Sequence, residues 1–233
     1  MIDLPKISKD DKDKLLKKLG INFEQVTKDV DDTRKLLITS SDYETIITNL
    51  DIEHDFSNYK RLLEYRLLVG LLYLDLLTSV RIYLKADFRY EELYSTRQVN
   101  VIITEGFKQI YHFNGVGRKK TFWANDIKKI IDKDLIGLKS EYDTLTIKIE
   151  DYSSKFLNDK SIKEKRDLSV HYDEKPSKVF DMMIKLDISV VYPYMLQFVD
   201  ILKDMFEFTN KIVFSYNEKT KNESELIKNE FNK

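Results

Sequence analysis

Arg166, Asp167 and His171 are the residues of this chain whose types and spacing could do chemistry together. They stand in the stretch KEKRDLSVHYDEKP, which holds one of only three histidines. An arginine offers a planar fork for a phosphate and stays charged at every relevant pH. A histidine titrating near neutrality can take a proton from a ribose 2′-OH or return one to a leaving oxygen. The pair suffices for metal-free RNA cleavage, in which the 2′-OH attacks the adjacent phosphate. Asp167 and His171 are four apart and share a face of a regular helix, so the carboxylate can orient the imidazole ring. Arg166 and His171 are five apart, about 140° around the same helix. They converge on one ligand only where the helix bends, where it ends, or where a second chain supplies the other half. Lys160, Lys163 and Lys165 surround the trio as candidate RNA- or phosphate-binding residues.

The rest of the composition removes competing chemistries. Cysteine is absent, which excludes disulfides, thiolate metal sites and cysteine nucleophiles. His54 and His112 have no partner spacing, so no metal site and no cofactor is expected. The sequence has no Walker loop, no dinucleotide-binding glycine fingerprint and no zinc-protease helix. GVG at 115–117 reads as a turn, and the cations Arg118, Lys119 and Lys120 after it read as a solvated loop. Net charge is -1, so any nucleic-acid contact needs a local basic patch. The charged N-terminus has no apolar signal region. The apolar run Leu67–Leu84 is interrupted by Asp75 and Arg81 and reads as a core helix rather than a membrane span. The expected location is cytoplasmic.

The elements that must position the trio are helical. Six glycines and three prolines are too few for the turns of a β fold. Two short helices separated near Gly20 and Asn22 are predicted over residues 8 to 38, with another piece from Asp42 to Leu50. A long helix from Ser57 to Lys85 carries Leu63, Leu67, Gly70, Leu71, Leu74 and Leu77 on one face. Tyr90 to Tyr111, Phe122 to Ile131 and Leu138 to Leu157 follow. Ser161 and Glu164 fit a capping box that starts a short helix bearing the trio, and Ser177 can cap KVFDMMIKL. A last helix covers Ser189 to Tyr216. Aromatic residues recur at helical spacing and read as core. The expected fold is an all-α antiparallel helical bundle: an N-terminal helical extension over 1–50 packed on it, the bundle over 51–217, and a polar tail over 218–233.

Arg166-Asp167-Leu168-Ser169-Val170-His171 resembles the signature of the HEPN superfamily (higher eukaryotes and prokaryotes nucleotide-binding). Arg166 matches its arginine, Asp167 its polar position and His171 its histidine. The resemblance implies a HEPN-like bundle that often dimerises with two motifs facing each other. It also implies a metal-independent endoribonuclease of toxin-antitoxin or abortive-infection type, with RNA as substrate and an antitoxin or nucleotidyltransferase as possible partner. Other members are inactive scaffolds. A non-catalytic interaction module therefore stands as the alternative, with ligand binding in a bundle cavity a more distant third.

Overall fold

A computed structural model of the chain describes residues 8–49, 57–111, 122–158 and 188–231, together with 177, 180, 181 and 185. Among these residues the fold is all-α, a bundle without strands. Its helices are α1 (Lys9–Asn49), α2 (Ser57–Lys85), α3 (Arg89–Ile110), α4 (Lys128–Asp134), α5 (Lys139–Asn158) and α6 (Ile188–Phe231). A π-helical turn, Phe122–Ile127, leads into α4, and a 3₁₀ turn, Ile136–Leu138, leads into α5. Ser177, Phe180, Asp181 and Lys185 are also helical.

The expected break near Gly20 does not occur; α1 is one helix of 41 residues. The reason lies in its seam. Leu16, Leu19, Phe23, Val26, Val30, Thr33, Leu37 and Ser40 recur at three- and four-residue steps, the heptad spacing of helices that pack nearly parallel to each other. That seam is continuous through Gly20, where a glycine costs only about 1 kcal/mol of helix propensity. α1 lies antiparallel along α2, with Glu44 paired to Lys60 and Val30 against Gly70. Val26, Val30 and Thr33 are buried in that contact.

α2 is the central element and contacts α1, α3 and α6. It is therefore covered on several sides, and Leu62, Tyr65, Val69, Tyr73 and Leu76 are buried besides Leu63, Gly70 and Leu77. Leu71, expected in the core, is 46% exposed. By length and composition α2 is apolar enough to cross a membrane, with mean hydropathy 1.7 over its most apolar window. The interruption by Asp75 and Arg81 does not bring it below that level. α3 returns antiparallel to α2: the Ser95 hydroxyl donates to the Ser79 carbonyl, and Tyr65 Oη donates to the Ile110 carbonyl at 3.4 Å. α6 is also antiparallel to α2, through Tyr59 stacked on Tyr216 (5.6 Å) and Arg66 over Phe206 (5.4 Å).

α5 and α6 form the second antiparallel pair. Phe156 meets Tyr194 and Tyr152 meets Phe198, while Lys148 and Lys211 bind Asp204 and Glu141 at 2.5 Å each. Trp123 fills the space beneath them. Its Nε1 donates to Thr146 Oγ1 (3.0 Å), its ring stacks on Tyr142 at 4.7 Å, and Tyr142 Oη donates back to its carbonyl (3.1 Å). α6 runs on to Phe231, well past the end expected at Tyr216. Lys219, within the stretch expected to be a tail, binds Asp134 at 2.8 Å.

Candidate functional site

Arg166, Asp167, His171, Lys160, Lys163 and Lys165 all lie outside the described residues, as do His54, His112 and the cations at 118–120. What the structure defines is where the chain carrying them leaves the bundle and returns. α5 ends at Asn158 and α6 begins at Ile188. Because these helices are antiparallel, both points lie at one end of the bundle. The pairings of α2 with its neighbours put the start of α1, the α2–α3 turn and the start of α3 at that end too.

The α5–α6 pair is held by rings against the last turn of α3. Phe107 of α3 packs against Tyr152 (5.4 Å), Phe156 (6.3 Å) and Phe198 (6.5 Å). Tyr152 is buried, yet its hydroxyl has no hydrogen-bond partner among the described residues. Burial pushes its pKa well above the usual tyrosine value, with the nearby Tyr194 adding in the same direction. It remains a neutral phenol. Two turns before Phe107 on α3, Asn100 is 1% exposed, and neither atom of its amide is paired. Buried polar groups without partners cost stability, so both positions stand out. Lys155, the last cation of α5, is exposed and tied to Asp151 at 2.5 Å.

A second polar group sits deeper, between α1, α2 and α6. Sequence spacing offers no polar cluster inside an apolar helix face, but Arg66 is only 8% exposed. Its guanidinium lies over the Phe206 ring and its Nε is unpaired. Burial lowers its pKa, while the charges of Asp29, Tyr59 and Asp32 act the other way. An arginine has pKa far above neutrality and stays cationic even so. Arg66 thus ties α1 to the bundle through charge and a cation–π contact.

A shallow groove beside α1, roughly 470 Å³ in volume, is lined by Thr27, Lys28, Asp31 and Lys35 among others. Its mixed charges select neither anion nor cation. No three His, Asp or Glu side chains come together as a metal site among the described residues. No family model matches the chain, and no curated protein or solved structure is significantly similar to it.

Proposed function

We propose that this is a HEPN-like, metal-independent endoribonuclease whose site centres on Arg166 and His171, with Asp167 orienting the imidazole. The observation that carries the reading is the Arg-Asp-x-x-x-His spacing, carried between two antiparallel helices of an all-α bundle. His171 takes the proton from the ribose 2′-OH as its oxygen bonds to phosphorus. The P–O5′ bond breaks, and the leaving oxygen is protonated. Arg166 neutralises the charge that builds on the phosphate. Lys160, Lys163 and Lys165 draw the backbone in. A partner subunit's copy of the motif, facing the first, supplies the convergence that a five-residue spacing on one helix lacks. The products are a 2′,3′-cyclic phosphate and a 5′-hydroxyl.

The test is digestion of varied RNAs by purified protein in excess EDTA. Wild type is expected to cleave, and His171→Ala and Arg166→Ala to lose about a hundredfold or more of the rate. RNA left intact by wild type, or equal rates in the variants, overturns the reading. The near-neutral net charge favours the alternative, a non-catalytic interaction module. In that case EDTA-independent cleavage is absent.

A further inference from the structure

Most buried aromatic rings of this bundle, Trp123, Tyr152 and Phe198 among them, are in ring–ring contact, whereas three exposed ones close in sequence are not. Phe88, Tyr90 and Tyr94, at the turn from α2 into α3, are 70%, 62% and 46% exposed. None of the three makes a ring contact or a side-chain hydrogen bond among the described residues. Tyr90 and Tyr94 are four apart on α3 and so present one face, with Phe88 directly before the helix. Exposed apolar side chains scattered singly need no explanation, but three rings within seven residues form a patch.

The charges around the patch decide what it suits. Arg81 and Lys85, at the end of α2, are exposed and in no ion pair among the described residues. The carboxylates nearby are partly engaged. Glu92 binds Arg89 at 2.8 Å, and Glu91 accepts the backbone N–H groups of Asp87 (2.9 Å) and Phe88 (3.2 Å). Asp87 forms no ion pair among the described residues. α1 brings five lysines and three aspartates to the same end within residues 9 to 18. Exposed flat rings, preceded on α2 by two cations that form no ion pair among the described residues, match the stacking-plus-backbone recognition of single-stranded nucleic acid. A protein-docking face needs an apolar centre free of charge. Here Asp87, Arg89 and Glu91 interrupt the rings at every step.

We propose that the α2–α3 turn is a docking platform for single-stranded RNA, with Phe88, Tyr90 and Tyr94 stacking on bases and Arg81 and Lys85 holding phosphates. The choice of RNA over DNA rests on the ribonuclease reading. The platform lies where α2 ends at Lys85 and α3 begins at Arg89.

The experiment is fluorescence anisotropy with the full chain and a labelled 2′-O-methyl oligouridylate, which has no free 2′-OH and cannot be cut by this chemistry. Wild type is expected to bind it more tightly than a duplex of the same length. Tyr90→Ala and Tyr94→Ala are expected to weaken binding by roughly five- to a hundredfold each, and Tyr94→Phe to retain it. Arg81→Ala and Lys85→Ala are expected to lower the salt slope by about 0.7 each. Unchanged binding in the ring variants overturns the platform while leaving the nuclease reading to its own assay. No binding by wild type also overturns it. Ring-dependent binding by a protein that cleaves nothing in EDTA keeps the platform without the nuclease.

Discussion

Two buried tyrosines of α5 illustrate how much a single hydroxyl depends on its partner. Tyr142 and Tyr152 are 4% and 2% exposed and both stack on other rings. Tyr142 Oη donates to the Trp123 carbonyl, whereas the Tyr152 hydroxyl has no partner among the described residues. Removing a paired hydroxyl strands its acceptor, and removing an unpaired one relieves a desolvation cost. Tyr142→Phe is therefore expected to destabilise by about 1 kcal/mol and Tyr152→Phe to stabilise by a similar amount. Urea titration of the two variants checks this, and equal losses in both refute the contrast. At this scale the sequence is least informative. Tyr90 and Tyr94 have the same four-residue spacing as core pairs, and only the lack of a covering helix makes them surface. Arg66 hides the same way: nothing local in its apolar run reports that α1 and α6 close over it.

At the scale of elements, glycine shows why a local breaker signal can mislead. Gly20 sits within α1 with nothing within 4 Å of where a Cβ would stand, while a Cβ at Gly70 would lie 2.5 Å from Val30 Cγ2 and 3.2 Å from the Phe206 ring. Gly20→Ala is expected to stabilise by about 0.5–1 kcal/mol through helix propensity. Gly70→Ala is expected to cost about 1–3 kcal/mol, because α1 and α6 must both retreat from α2. Thermal melts of the two variants should move in opposite directions. The long, apolar α2 and the periodic α3 were legible because each carries its own pattern; Ser57–Lys85 is found where it was expected. The continuity of α1 was missed because the Gly20–Asn22 signal is local, while the heptad seam that overrides it takes effect only against α2. The length of α6 was missed because its last turns are polar, and a contact such as Lys219–Asp134 spans 85 residues of sequence.

For the whole molecule, the ring-rich interior sets a pH limit. Burial raises Tyr65 and Tyr152 well above the usual tyrosine pKa and pushes Tyr142 up to about 12. In the unfolded chain all three ionise near pH ~10. Below that value both states are protonated and nothing is gained or lost. Above it the folded state holds protons that the unfolded state has released, so stability falls as pH rises, by up to about 1.4 kcal/mol per pH unit for each tyrosine. For Tyr142 the loss ends near pH 12. Tm measured across the alkaline range should fall steeply, and less so in Tyr152→Phe. An equal slope in that variant contradicts the assignment. The candidate site was legible in sequence as a motif and no further, since its residue types are local but its convergence depends on what faces it.

One consequence of the α5–α6 pairing concerns how this molecule can change over time. Phe156 and Tyr194 hold the two exits of the bundle with ring centroids 5.7 Å apart. The chain between them is thus closed on itself by the helices, whatever its own composition. Closure of the chain between residues 158 and 188 therefore falls on the α5–α6 ring contacts. The helices act as a fixed socket at these two points.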